Sequence, residues 1–301
     1  MHEQPSAETE KSFLDNWLET EFNDQYESQV TILQRLGLVD LLPDSEKMGI
    51  VGIDGKEYPV PSKEDIIREI KSNPEKYETK MKQGFTQIQL TPFAVPMERL
   101  TMTLGRALVD HYKRKKLFAT KEKPTDPDEL LGLDINRPLE VWSGWVDPKA
   151  TEGRRGADVT GECLYYPTED YASVRVTKAD KLKEQEAFPF AGWEVKFLET
   201  SLKPSVTKFR DFRDNNEDGL TIEDWIIKLL VHLERTNLII SESYELPGSF
   251  MIHSTLDEVV GYVQLLKSVN RVIIHKVKDN MPTHVSYPRF SCVNIISRQK
   301  T

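Results

Sequence analysis

The sequence predicts an α+β protein: a helical N-terminal region, then a mixed sheet packed on a central buried helix at 219–237. Three observations carry that prediction. The run Gly219-Leu-Thr-Ile-Glu-Asp-Trp-Ile-Ile-Lys-Leu-Leu-Val-His-Leu-Glu-Arg-Thr-Asn237 is too apolar for a surface helix. Its Ile222, Trp225, Ile226, Leu229, Leu230 and Leu233 form a stripe about 140° wide, and Ile227 and Val231 fall outside it, so a second surface must cover them. Composition shifts toward strands and aromatics after residue 139. Finally, helices and strands mix without a regular βαβ repeat, which favours α+β over a doubly wound sheet. Three regions follow: N-terminal helices over 1–46, a helix-rich α+β part over 47–138, and a strand-rich α+β part around the central helix over 139–301.

The elements are justified in chain order. Leu14, Leu18, Phe22, Tyr26 and Val30 recur every four residues, and a strict step of four drifts around a straight helix. The stretch 11–36 is therefore expected to break near Asn23-Asp24, and its second helix to end at Gly37 in a left-handed cap. Residues 49–61 read as a hairpin turning at Asp54-Gly55. Ser62 with Asp65 opens a short helix over 63–71, and Asn73-Pro74 starts another, since proline suits the first helical turn. Phe85–Thr91 alternates as a strand with one apolar face, and Met97–Leu117 is a helix with stripe Leu100, Leu104, Ala107, Leu108 and Tyr112. His111 projects onto the same stripe, as a core histidine or a base.

Strands are expected at 139–142, 162–166, 193–198, 238–240, 271–277 and 291–296, with a polar helix over 177–186. Thr255 with Glu258 suggests a capping box, so 255–268 is expected to be helical. On the central helix, Thr221 and Asp224 form another such box. Its polar edge is read as Asp224, Lys228, His232 and Arg235.

Composition bounds the function. A net charge of −9 lacks the basic footprint of a nucleic-acid binder. No apolar run approaches the roughly 20 residues of a membrane span, and the first eleven residues hold no secretion signal, so the expected location is the cytoplasm. The one basic run, Lys113-Arg-Lys-Lys116, complements a helix C-terminus or forms a phosphate-binding patch. Cys163 and Cys292 are too few and too distant for a disulfide framework or a metal knuckle.

Candidate chemistry is sparse. Asp214-Asn-Asn-Glu-Asp-Gly219 matches the first half of a calcium loop, but Trp225 stands where the bidentate glutamate belongs. Glu194-Val-Lys196 on a strand projects carboxylate and ammonium to one face, as in a metal-dependent nuclease, with Asp180 as a further acid. The plainer reading of that pair is a solvent-facing salt bridge. Trp142 and Trp145 flank Ser-Gly, and with Tyr166 they offer flat surface for a ligand or partner, or else fill the sheet core. His284, Tyr287 and Arg289 sit in a polar loop between two strands, where binding residues collect. No metal site or cofactor motif is predicted.

Three segments, Asp110–Lys121, Gly192–Glu199 and Gly219–Asn237, together resemble a group of uncharacterised proteins from small-genome bacteria of the candidate phyla. That resemblance implies no activity. The end, Ser291-Cys-Val-Asn-Ile-Ile-Ser-Arg298, is similar to the closing strand of C-type-lectin-like variable proteins, which implies a binding surface. The expectation is a non-enzymatic binding or interaction protein that meets a protein or small-molecule partner through its aromatic segment and C-terminal loop. The alternative is a metal-dependent nuclease or hydrolase using Asp180, Glu194 and Lys196.

Overall fold

A computed structural model of the chain describes residues 12–119, 132–141, 164–167, 176–200, 215, 217–240, 244–252, 258–266, 271–278 and 291–295. The fold is α+β, with seven helices and several sheets among these residues. The first two helices are α1 (Phe13–Thr20) and α2 (Phe22–Arg35). The break falls at Glu21, two residues earlier than the apolar drift predicts. Gly37 takes the left-handed conformation, with φ at 68°, and Leu38 N–H bonds back to Leu33 to close the helix end. A three-stranded antiparallel sheet follows, β1 (Asp40–Leu41), β2 (Met48–Val51) and β3 (Glu57–Pro59), turning at Gly55 as expected. Helices α3 (Lys63–Ser72) and α4 (Pro74–Lys82) are capped by Ser62 and Asn73, whose side chains accept from Asp65 and Lys76 N–H.

The sheet that matters most is four-stranded and antiparallel throughout. Its members are β4 (Phe85–Thr91), β9 (Glu194–Glu199), β10 (Asp218–Gly219) and β15 (Ser291–Asn294), in the order β10-β15-β9-β4. Strand alternation gives it two unlike faces. On one face Phe197 stacks edge-on against Trp17 (5.3 Å) and tilted against Tyr77 (5.7 Å), among buried Ile88, Leu90 and Val195. The other face places Gln89 opposite Lys196 and Thr91 opposite Glu194.

Onto that polar face comes α7 (Ile222–Thr236), the central helix of the sequence reading. Its capping box is formed: Thr221 Oγ1 accepts from Asp224 N–H, and Asp224 Oδ2 accepts from Thr221 N–H. Asn237 ends it in the left-handed region, with φ at 61°. Ile222, Trp225, Ile226, Ile227, Leu229, Leu230, Val231 and Leu233 are all buried, so the required second surface exists. It is provided mainly by α5 (Met97–Lys113), whose Leu100, Leu104, Ala107 and Leu108 are buried as the stripe predicts. Tyr112, placed on that stripe by spacing, is instead exposed near the helix end.

The remaining strands, β6 (Leu139–Val141), β7 (Tyr165–Tyr166), β8 (Val176–Thr177), β12 (Tyr244–Ile252), β13 (Glu258–Leu266) and β14 (Arg271–Lys278), form a six-stranded sheet ordered β6-β14-β13-β12-β7-β8. It is mixed, because β6 pairs with β14 in parallel. A further parallel pair joins β5 (Phe118–Ala119) to β11 (Leu238–Ile239).

The predicted helix at 255–268 is corrected here: residues 258–266 are strand β13, paired on both sides. Val259, Val260, Tyr262 and Val263 favour a strand, and two neighbouring strands outweigh a lone cap signal. In β12 the register shifts between Leu246 and Phe250, and this bulge brings Gly248 and Ser249 against the start of α7. A Cβ on Gly248 would lie 2.3 Å from Gly219 O, so only glycine allows that approach. Ser249 Oγ then accepts from Ile222 N–H at 2.8 Å. The helix start is thus satisfied by a residue distant in sequence. One hydrophobic cluster runs from Leu14 to Ile295 through all these layers.

Candidate functional site

The Glu194-Val-Lys196 pair sits at the N-terminal end of α7, deep in the fold. All six residues of β9 are buried, so the solvent-facing salt bridge is excluded. Lys196 Nζ lies 2.6 Å from Glu194 Oε2 and 2.5 Å from Asp224 Oδ2. Lys181, from α6 (Lys178–Gln185), takes the other oxygen of Glu194 at 2.6 Å. Thr91 Oγ1 donates to Asp224 Oδ1 (2.7 Å), and Gln89 Nε2 donates to the Asp224 carbonyl (2.8 Å). A second strand of the network joins Lys178 to Glu223 (3.1 Å) and to the Val95 carbonyl (2.8 Å), while the Tyr166 hydroxyl donates to Glu223. Three carboxylates thus face three ammoniums, and the carboxylates sit at the positive end of the helix dipole.

Protonation follows from this packing. Burial alone would raise the pKa of Glu194, but Lys181 and Lys196 outweigh it and hold the carboxyl down to about 2. Burial pushes the Lys196 ammonium down, and Asp224 and Glu194 more than reverse that, so it stays charged well above the usual lysine range. Asp224 is raised by burial, only partly offset by Lys196. The adjoining Asp218 accepts from Asn294 Nδ2 at 2.7 Å and is likewise raised by burial. Beside them the Cys292 thiol, pushed well up by burial, donates to the Asp218 carbonyl at 3.3 Å. A buried thiol held in that form is a packing group, not a nucleophile.

Several sequence-predicted site residues change role. Asp180 does not join Glu194 and Lys196. Its carboxylate is 56% exposed, accepts from the Thr177 hydroxyl at 2.7 Å and lies 3.7 Å from Lys183. Neighbouring Lys178 and Lys181, three residues apart on α6, turn inward instead. Tyr166 is fully buried against Phe93, with ring centroids 5.0 Å apart, and offers no contact surface. Asp224 leaves the polar edge of α7 because Lys196 and Thr91 satisfy it inside. Asp218 belongs to a paired strand rather than a loop apex. Trp142, Trp145, Cys163, His284, Tyr287 and Arg289 lie outside the described residues, as does Asp214 of the calcium-like run. Among the described residues, no group of three or more His, Cys, Asp or Glu side chains could hold a metal ion.

The opposite end of α7 is open. A cavity of about 180 Å³ lies where α2, α5 and α7 end, lined by Arg35, Thr103, Arg106, Asp110, His111, Arg114 and Glu234 among others. Glu234 is held by Arg35 at 2.5 Å and by His111 Nε2 at 3.1 Å. His111 is buried as its position on the α5 stripe requires, and its Nδ1 is enclosed without a partner. Arg106 and Asp110 on α5 and Arg114 at its C-cap recur every four residues, and all three are exposed. Arg106 spends one donor on Thr103 Oγ1 at 3.2 Å; among the described residues Arg114 has no side-chain partner. The helix spacing of the α5 residues was visible in the sequence, whereas Arg35 and Glu234 are brought in only by the fold. Each converging helix C-terminus disfavours an anion by roughly 0.3–1 kcal/mol, a cost that a nearby guanidinium outweighs.

No family model, curated protein or solved structure matches this chain.

Proposed function

We propose that the chain is a binding protein for a small molecule, with the ligand in the cavity between the ends of α2, α5 and α7. The sealed network at the other end of α7 acts as its scaffold. The observation that carries this reading is how the charges are engaged. In the network every carboxylate and ammonium has a partner, whereas Arg106 and Arg114 keep guanidinium donors uncommitted beside an open cavity. At about 180 Å³ the cavity is smaller than the ~300–1,000 Å³ of drug-sized sites, which favours a compact ligand.

The hydrolase alternative needs Asp180, Glu194 and Lys196 around one ion. Against it stand the two ammoniums already on the Glu194 oxygens and the outward-facing Asp180. Amide chemical-shift mapping with a panel of small metabolite-like ligands and Mn²⁺ tests the choice. The binding reading expects ligand-induced shifts concentrated at 35–36, 103–114 and 234. Mn²⁺ broadening around Glu194, without cavity shifts, would replace it with the hydrolase.

A further inference from the structure

We infer that the cavity takes a phosphoryl group, either inorganic phosphate or the end of a phosphate monoester. This rests on the binding-protein reading and deepens it. Around the cavity, Arg35, Arg106 and Arg114 face Asp110 and Glu234, three guanidiniums against two carboxylates, which leaves one net positive charge before His111 is counted. Glu234 is already engaged by two donors, Arg35 and His111, so its charge is the least available to repel an incoming anion. Asp110 sits one helical turn from both Arg106 and Arg114 and offsets only one of them.

What remains is specific. Each guanidinium carries five N–H donors in a planar fork, and forks set apart along α5 and its C-cap suit an anion with oxygens pointing in several directions. A tetrahedral phosphoryl group has that shape, whereas a carboxylate presents two oxygens in one plane. His111 borders the cavity, and its Nε2 donates to the Glu234 carboxylate, which occupies that carboxylate further. Exposed Lys113 lines, with Arg106 and Asp110, an adjoining open cavity of about 390 Å³ with room for the rest of an ester.

The test is thermal unfolding and titration calorimetry on the full chain with inorganic phosphate, glycerol phosphate or acetate, at ionic strength matched with chloride. Phosphate or its ester should raise the unfolding midpoint above the acetate and chloride controls. Affinity should weaken about tenfold in Arg106→Gln and in Arg114→Gln, the loss of one charge-assisted fork, and stay unchanged in Lys183→Gln on distant α6. Tighter binding of the ester than of phosphate assigns the adjoining cavity to its organic part; equal binding assigns free phosphate. An equal response to acetate and phosphate, or binding undiminished in both arginine variants, overturns the inference. If phosphate is inert while a neutral ligand shifts the cavity amides, the phosphoryl assignment fails and the binding reading stands. If no ligand of either kind moves those amides, both fail.

Discussion

The two ends of α7 carry similar kinds of side chain and treat them in opposite ways. At the N-terminal end, Lys196 is 2% exposed and Asp224 not at all, and every charge is matched across β9, α6 and the helix cap. At the C-terminal end, Glu234 meets Arg35 and His111 at the edge of a cavity, where exposed Arg106 bonds only Thr103 and exposed Arg114 has no side-chain partner among the described residues. The difference teaches what decides whether a charge cluster is scaffold or site. Removing one partner from a sealed pair strands the other in a low-dielectric interior, while an exposed pair has water to fall back on.

Breaking the sealed end should have the largest effect. Asp224 caps the helix, pairs Lys196 and accepts from Thr91, so Asp224→Ala is expected to cost about 4–6 kcal/mol in urea unfolding, several kcal/mol for a buried ammonium left to share Glu194 with Lys181 and about 1 for the cap. A loss near 1 kcal/mol would reduce the residue to a cap alone.

The acid limb of stability gives the next effect. Glu194 has its folded pKa depressed, from an ordinary 4.5 to about 2, so its contribution is fully present above pH 4.5 and fades as pH falls toward 2. Asp224 and Asp218 are raised and act in the opposite sense, so the wild type alone does not isolate Glu194. The stability gap between wild type and Glu194→Gln should therefore be on the order of 3 kcal/mol at neutral pH and narrow across that acidic window. A gap independent of pH means the folded carboxyl keeps the unfolded pKa, and a gap that shrinks as pH rises through 4.5 means it is neutral in the folded protein. The smallest effect belongs to the open end, where Arg35→Ala should change stability by less than about 1 kcal/mol, because its guanidinium is largely exposed.

Much of the fold was legible because local signals and tertiary packing agree. The helix starts read at Ser62, Asn73 and Thr221 are all capped, and the apolar stripes of α5 and α7 are buried where periodicity places them, apart from Tyr112 near the end of α5. The failure at β13 has a physical cause: a capping-box pair is a local signal, and pairing with strands on both sides is a non-local one that prevailed. The site was legible only in part. Glu194 and Lys196 do come together, as their strand spacing requires, but spacing cannot show that α6 and α7 seal them. Arg106 of α5 and Arg114 at its C-cap share a helical spacing, yet no sequence pattern joins Arg35 to Glu234 across 199 positions.

The most direct test of the contrast is paired urea unfolding of Lys196→Met and Arg114→Gln. Lys196→Met takes the cation from buried Asp224 and leaves Glu194 with Lys181 alone, and should lose about 3–5 kcal/mol, while Arg114→Gln should stay within about 0.5 kcal/mol of wild type. Comparable losses in the two variants would contradict the division of α7 into a sealed scaffold end and an open binding end.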